Sequence, residues 1–198
     1  MPLSGSDTHT SRLATIVVAD IVEYSRLMAT DEDDTYSTLR TIRSELIDPG
    51  IEAAGGRIVK HLGDGFLAEF PSVVASVRFA MSLQDRIRLR NEELPEDQQF
   101  HLRIGINLGD IIVDEVGDIF GDGVNVAARL ESLALPGGIC VSGPVRASVH
   151  KRIDATYEDL GEQHVKNIPT PLRAYHLHWS GGSASPAERG RRSAAVSI

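Results

Sequence analysis

The chain has 198 residues, a formal net charge of −8 and 41% hydrophobic residues. This length suits one domain with a full core, and the negative charge argues against a nucleic-acid-binding protein, which usually carries a basic field. The single cysteine, Cys140, excludes an internal disulfide framework and is typical of a reducing compartment. With no apolar run long enough to cross a bilayer and no signal-peptide core, the sequence predicts a cytoplasmic protein without membrane contact.

The first predicted element is a buried strand at Leu13–Val22, which follows a polar, flexible leader at Met1–Arg12. The strand segment is rich in Ile and Val and almost continuously apolar, as in a strand covered on both faces. Asp20 lies near its end. A carboxylate there is costly unless it is paired, hydrogen-bonded or bound to a metal, although a lone aspartate at a strand end is also an ordinary turn residue.

A helix is predicted to begin near Thr30, where acidic residues cluster at the end that the helix dipole favours for negative charge. Leu39, Ile42 and Leu46 follow helical spacing. Pro49–Gly50 is expected to disturb this helix and Gly55–Gly56 to end it. The acidic cluster is thus explained as a helix start, and we do not interpret it as a metal site.

A β-hairpin is predicted at Val59–Phe70, because two apolar-rich runs flank Gly63-Asp64-Gly65. The glycines give the backbone freedom that a tight reversal needs, and they place the Asp64 carboxylate at the tip. Lys60 has the same strand parity but lies up to ~13 Å away along an extended strand. The two side chains are therefore not expected to pair, and an ordinary hairpin with a solvated lysine remains an open alternative.

The remaining elements alternate between helix and strand. A second helix is predicted from Pro71–Ser72 onwards, followed by a polar loop at Asn91–Gln99. Two strands are predicted at Phe100–Asn107 and Ile111–Val113, separated by a turn or bulge at Gly109–Asp110. The later elements are a strand at Ile139–Ser142, a helix at Pro144–His150, strands at Ile153–Leu160 and Leu172–Trp179, and a flexible tail or linker at Ser180–Ile198.

The segment Gly117–Leu135 is a glycine-containing loop that runs into a helix. Asn125, Arg129 and Ser132 project together from one face of this helix, because they are spaced at i, i+4 and i+7. An Asn beside an Arg offers compact donors for phosphate oxygens, whereas the alternative is a plain solvent-facing surface. Lys166 is a further cation, in a loop that Pro169 and Pro171 restrict.

The element order βαββαβ followed by additions predicts an α+β fold with a ferredoxin-like core, in which a mainly antiparallel central sheet is flanked by helices. In such a sheet Asp20 and Asp64 can meet at one end. Two converging carboxylates suit hard divalent cations, and magnesium takes its other ligands from water and phosphates. With Asn125, Arg129 and Lys166 as phosphate donors, the residues point to metal-assisted phosphoryl chemistry on a nucleotide.

Three motifs, in order and with their spacing intact, resemble the catalytic domain of the class III adenylate/guanylate cyclases. They are Val18–Ile21, Lys60–Gly65 and Asp118–Glu131, and the resemblance covers Leu13–Leu177. It implies one catalytic domain at residues 13–179.

The resemblance also implies a role for each matching residue. Asp20, Asp64 and the backbone carbonyl of Ile21 correspond to ligands of two Mg²⁺ or Mn²⁺ ions per active site. Lys60 and Asp118 correspond to the pair that reads the purine, and Lys with Asp favours ATP. The other implied contacts are Asn125 with the ribose, Arg129 with the α-phosphate, Lys166 with the terminal phosphate, and Tyr24 and Ser25 in the loop over the phosphates.

Taken together, these matches predict an adenylate cyclase that converts ATP to 3′,5′-cyclic AMP and pyrophosphate at shared sites of a homodimer. A guanylate cyclase and a catalytically silent nucleotide-binding or dimerisation module remain alternatives, and a regulatory domain or partner is compatible with the sequence. In many relatives the segment that corresponds to Ile111–Gly117 is longer and brings an arginine to the β-phosphate. No counterpart of that arginine is expected here.

Overall fold

The computed structural model describes residues 10–164 and 171–180. Its strands and helices alternate along the chain. They are β1 (Thr10–Ile21), α1 (Tyr24–Thr30), α2 (Glu32–Ile42), a π-helical segment (Arg43–Ile47), α3 (Asp48–Ala53), β2 (Arg57–Leu62), β3 (Gly65–Phe70), α4 (Val73–Asn91), a 3₁₀ turn (Glu96–Gln98), β4 (Leu102–Val113), β5 (Ile119–Phe120), α5 (Asp122–Leu133), β6 (Ile139–Ser142), α6 (Gly143–Val149), β7 (Thr156–Gln163) and β8 (Leu172–His178).

Among the described residues, the strands form one eight-stranded sheet in the order β2-β3-β1-β4-β6-β8-β7, with β5 paired to β4. Within the part β2-β3-β1-β4, all neighbouring strands are antiparallel, whereas β4 and β6 are parallel. The order of the first four strands is that of a ferredoxin-like βαββαβ unit, and the last strands extend the sheet beyond β4. The predicted α+β fold with a mainly antiparallel sheet is confirmed.

Strand β1 begins earlier than the sequence predicts. It pairs with β4 over its whole length, from Thr10 opposite Val113 to Ile21 opposite Leu102. Arg12 also forms an ion pair with Glu69 of β3 at 2.7 Å. The prediction of a leader extending to Arg12 is therefore wrong for its last three residues, because strand pairing and this ion pair order them.

The predicted interruption after Asn107 is also wrong, because β4 is one continuous strand from Leu102 to Val113. Gly109 and Asp110 have the composition of a turn, but each has a partner in β1, namely Ala14 and Leu13. A long partner strand supplies hydrogen bonds across the whole segment, so local turn preference gives way to the sheet.

The first helical region follows the predicted signals and adds one helix. Asp31 caps α2 by accepting a hydrogen bond from the amide of Asp34 at 3.0 Å, which confirms the predicted start. Pro49 has no N–H to donate four residues back, and the helix widens there so that the amide of Asp48 donates to the carbonyl of Arg43. Helix α1 was not predicted, and it follows Glu23, which has a φ of 55°.

The main hydrophobic core lies between one face of the sheet and the helices α1–α4 and α6. Smaller apolar clusters lie on the other face, where α5 covers β1 and β4. Cys140 is fully buried, and burial raises the pKa of its thiol to about 12. Within the described ranges, no helix is both long and apolar enough to cross a membrane.

Candidate active site

The hairpin of β2 and β3 reverses through Gly63 and Asp64, as predicted. Leu62 pairs with Gly65 across the turn, and Gly63 takes a φ of 65°, which an L-residue adopts only with strain. Gly65 is needed for close approach: a Cβ there would collide with the carbonyl oxygen of Ala19. The missing side chain lets the start of β3 lie directly against the end of β1.

This approach brings the carboxyl groups of Asp20 and Asp64 close enough to interact, as the sequence predicted. Burial raises the pKa of Asp20, and the negative charge of Asp64 raises it further. The charge of Arg103 and the backbone amide of Ile21, which donates to the carboxylate, partly offset both. The two acids place their negative charges close together at one end of the sheet. A divalent cation bound between them would stabilise this arrangement.

No group of three or more His, Cys, Asp or Glu side chains is placed to hold a metal within residues 10–164 and 171–180. An ion at Asp20 and Asp64 would therefore complete its coordination with backbone oxygen, water or phosphate. That ligand set matches magnesium, which keeps several waters and binds through one or two carboxylates plus substrate phosphates. The donor chemistry of the pair therefore fits the implied cation.

Arg103 is a member of the site that sequence reasoning missed. It lies on β4 directly opposite Asp20, and its Nη2 is 3.8 Å from Oδ2 of that residue. Its Nε also lies 3.0 Å from Oε1 of Glu131. A guanidinium thus lies beside the acidic pair, and it comes from β4 rather than from the segment at residues 111–117, where many relatives carry an arginine. Only the register of β1 against β4 could have located it, since an Arg at the start of a strand is unremarkable in sequence.

The helices above the hairpin also contact the Asp64 turn. Arg43, the first residue of the π-helical segment, donates to the carbonyl of Gly63. Burial raises the pKa of Tyr24, and the nearby charge of Asp64 raises it further. Tyr24 is therefore close to the acidic pair. Ser25, on the same turn of α1, is exposed.

A second group of predicted residues meets elsewhere on the chain. The Nζ of Lys60 donates to Oδ2 of Asp118 at 2.6 Å, and Oδ1 of Asp118 accepts from the amide of Ile119 at 2.8 Å. The hydrogen bond from Lys60 holds the pKa of Asp118 below its usual range. Both carboxylate oxygens of Asp118 are therefore oriented, and the acid is ionised at neutral pH.

The loop that carries Asp118 is held by three further hydrogen bonds. The carboxylate of Asp114 accepts from the amides of Val116 and Asp118, at 3.0 and 2.8 Å. Arg57 of β2 donates to the carbonyl of Gly117 at 2.7 Å. These bonds fix the loop against the hairpin, so that Asp118 faces Lys60.

Lys60 lines a cleft of about 210 Å³ between the hairpin and α5. Its Nζ lies 5.4 Å from the centre of the Phe120 ring, and Asn125 of α5 lines the same cleft. Arg129 follows one turn later on α5 and is exposed. Neither Asp20 nor Asp64 is among the lining residues. Lys60 and Asn125 therefore line one cleft, with Asp118 joined to it through Lys60, whereas Asp20 and Asp64 meet each other at the hairpin tip. Lys166 lies outside the described residues.

Comparison with known proteins gives a consistent result. The family described as the adenylate and guanylate cyclase catalytic domain matches residues 7–179. A protein of Rhizobium meliloti (strain 1021) named "Putative adenylate cyclase 3" is 45% identical over 180 residues, which cover 91% of this chain and 29% of that protein. The chain therefore spans less than a third of the length of that relative.

Solved structures show the same fold. The adenylate/guanylate cyclase/hydrolase from Silicibacter pomeroyi superposes with a TM-score of 0.81 and 46% identity, over 87% of this chain and 99% of that one. The adenylyl cyclase CyaB from P. aeruginosa superposes with a TM-score of 0.76 over 87% of this chain and 96% of that one, at 23% identity. On the extent of these matches, the chain belongs to the class III family of adenylate and guanylate cyclase catalytic domains.

Proposed function

We propose that this chain is an adenylate cyclase, which converts ATP to 3′,5′-cyclic AMP and pyrophosphate. The observation that carries the proposal is the pairing of two groups on one hairpin. Asp64, at the tip of the hairpin, contacts Asp20, and Lys60, on β2 of the same hairpin, contacts Asp118. The first group is suited to the phosphates with their cations, and the second to the edge of a purine.

We further propose that the active sites are shared between the two protomers of a homodimer. Neither Asp20 nor Asp64 of the same chain lines the cleft at Lys60, which supports a site that a second copy completes. Apolar side chains are exposed near this cleft: Leu62, Val116 and Phe120 are 44%, 88% and 47% exposed. Exposed apolar groups around a polar site are typical of a surface that another chain covers.

The roles of the residues follow from their chemistry. The ribose 3′-hydroxyl attacks the α-phosphorus in line, and pyrophosphate leaves. Asn125 would orient the ribose, and Arg129 would stabilise the negative charge that develops on the α-phosphate. Arg103 would add a guanidinium at the phosphate end, beside Asp20. Asp20 and Asp64, with the carbonyl of Ile21, would hold Mg²⁺ or Mn²⁺, which supplies charge neutralisation and a more acidic hydroxyl when bound.

The preference for ATP rests on hydrogen-bond polarity. A lysine donates to a ring nitrogen of adenine, and an ionised aspartate accepts from the adenine 6-amino group. Guanine has a carbonyl and a protonated ring nitrogen at those positions, so it would meet each side chain with the wrong polarity. Since Asp118 is held ionised by Lys60, the pair favours adenine. An ATP-consuming protein with one buried thiol suits the cytoplasm.

The proposal is tested with the purified chain, Mn²⁺ and either ATP or GTP, with cyclic nucleotides measured by chromatography. Cyclic AMP should form from ATP, and Asp64→Ala should abolish it. Cyclic GMP as the main product would establish the guanylate cyclase alternative. No product from either nucleotide, in a chain shown to dimerise, would favour a silent module.

Mixing two inactive variants tests the shared sites. Asp64→Ala removes the metal side of each site and Arg129→Ala removes the other side, so neither homodimer has a complete site. A mixed dimer has one intact site, and mixing should restore part of the cyclic AMP production. If mixed dimers form, as shown by differently tagged chains, and activity stays absent, the two groups of residues do not serve a common site.

A further inference from the structure

Glu131 is a buried acid that the proposed chemistry leaves unused. It lies on α5 and is only 8% exposed. Burial raises the pKa of its carboxyl, and the charge of Arg103 partly offsets that effect. A buried carboxylate is strongly destabilising unless it is paired, so its location requires an explanation.

The backbone packing explains how Glu131 reaches this position. A Cβ at Gly105 of β4 would collide with the carbonyl oxygen of Ala127 and with the amide nitrogen of Glu131. Helix α5 therefore rests on β4 backbone to backbone. Arg103 lies two residues before Gly105 and so projects from the same face of β4. This packing brings the Glu131 carboxylate against the Arg103 side chain.

The contact between them is an ion pair. Nε of Arg103 lies 3.0 Å from Oε1 of Glu131, and both atoms are shielded from solvent. The N–H is not aimed at the oxygen, so the pair lacks a good hydrogen bond. The same guanidinium reaches towards Asp20, with its Nη2 3.8 Å from Oδ2. One cation is thus held between a buried acid and a member of the acidic pair.

We propose that Glu131 is a positioning residue, which holds Arg103 at the phosphate end of the nucleotide site. This inference rests on the proposed function. A free arginine side chain has many rotamers, and ordering it against a phosphate costs part of the binding energy. Glu131 removes that cost in advance, because its charge holds the guanidinium in place beside the site.

The test is the affinity for a non-cyclisable nucleotide, α,β-methylene-ATP, measured with Mn²⁺ by titration calorimetry on the dimeric chain. Glu131→Gln should weaken binding about 10-fold, equivalent to about 1.4 kcal/mol, because the neutral amide no longer holds the guanidinium by charge. Arg103→Gln should weaken it by at least as much, and the double variant should be no weaker than Arg103→Gln. Additive losses, or unchanged affinity in Glu131→Gln, would overturn the proposal.

A second variant separates positioning from plain stability. Replacing a buried ion pair by apolar groups of similar size is often neutral or stabilising, so Arg103→Met with Glu131→Met should keep the unfolding midpoint. Its affinity for the analogue should stay low. Recovery of both stability and affinity would show that the pair is only structural. Glu69→Gln is the control, because it removes a paired and mostly buried glutamate at the other end of the hairpin.

Cyclic nucleotide formation tests the proposed cyclase function, whereas the comparison of analogue binding between variants tests the positioning role of Glu131. A wild-type chain that binds the analogue but forms no cyclic nucleotide would contradict the cyclase assignment, while the comparison between variants would still decide the role of Glu131. If the wild-type chain does not bind the analogue at all, Arg103 has no phosphate to meet, and the positioning role falls as well.

Discussion

Lys60 and Asp118 form an ion pair of 2.6 Å although 58 residues separate them in sequence. Under the proposed function, a purine would meet a preformed pair rather than two independent side chains. The base would exchange the contact between the ammonium and the carboxylate for one contact with each of them.

This pair predicts how to change the nucleotide preference. Lys60→Glu combined with Asp118→Cys, the pair typical of guanylate cyclases, reverses the donors and acceptors offered to the base. Hydrogen bonds to charged groups contribute about 1.5–3 kcal/mol, so we expect kcat/KM for ATP to fall about 10- to 100-fold and that for GTP to rise. Cyclic AMP and cyclic GMP are measured in parallel.

The neighbouring His61 offers a control for this exchange. Its Nε2 lies 3.8 Å from Oδ1 of Asp48, on the other side of β2 from Lys60. His61→Gln should leave the ratio of the two products unchanged. An unaltered ratio in the Lys60→Glu, Asp118→Cys variant would show that other residues read the base.

Gly65 makes a second prediction, on the geometry of the acidic pair. In Gly65→Ala the new methyl group would collide with the carbonyl oxygen of Ala19 and lie 3.1 Å from Oδ1 of Asp20. Such overpacking costs about 1–3 kcal/mol and would push β3 away from β1. We expect a lower free energy of unfolding, together with loss of Mn²⁺-dependent stabilisation in thermal unfolding.

Gly55→Ala separates these two effects. Gly55 has a φ of 71° with open space around its Cβ position, so alanine there is strained without a collision. It should cost about 1 kcal/mol while the response to Mn²⁺ stays intact. Equal responses to Mn²⁺ in both variants would mean that the approach of β3 to β1 does not set the metal site.

A third prediction concerns pH and Glu69. Burial raises the pKa of Glu69, but hydrogen bonds from Arg57 and Arg12 outweigh it, and the pKa lies below its ordinary 4.5. Because the folded-state pKa is lowered, the ionised carboxylate stabilises the fold above pH 4.5, and this stabilisation is lost as pH falls through the lowered value. At pH 7, Glu69→Gln should lower the free energy of unfolding by about 1–2 kcal/mol.

The measurement for Glu69 is urea unfolding of both chains over a series of pH values. The difference between wild type and Glu69→Gln should be constant near neutrality and shrink in acid. Glu52→Gln, an exposed glutamate of α3, should show no such trend. A difference that persists unchanged below the lowered pKa would show that packing, not charge, holds Glu69.

The sequence predicted those parts of the fold whose signals are local. The Gly63-Asp64-Gly65 turn and the cap at Asp31 were found in this way, because the residues themselves determine the backbone there. The continuity of β4 was missed, since the partner strand overrides the turn preference of Gly109 and Asp110.

The residues of the candidate site also differ in how far local sequence signals could predict them. Asp20 and Asp64 could be predicted to meet once the strand order was inferred. The pairing of Lys60 with Asp118 came only from the family resemblance, because no spacing rule joins a hairpin to a distant loop. Arg103 and Glu131 were missed altogether. Their positions depend on the register of β1 with β4 and on the direct contact of α5 with Gly105, which no local pattern encodes.

That contact at Gly105 limits how this domain can diversify. With no side chain between helix and strand, substitutions cannot raise, lower or tilt α5 by small steps, and any larger residue at position 105 would displace Asn125 and Arg129 together. The helix that carries these two residues is consequently held at one geometry. Under the proposed function, new substrate preferences would have to arise at the other end of the cleft, through exchanges such as those at Lys60 and Asp118.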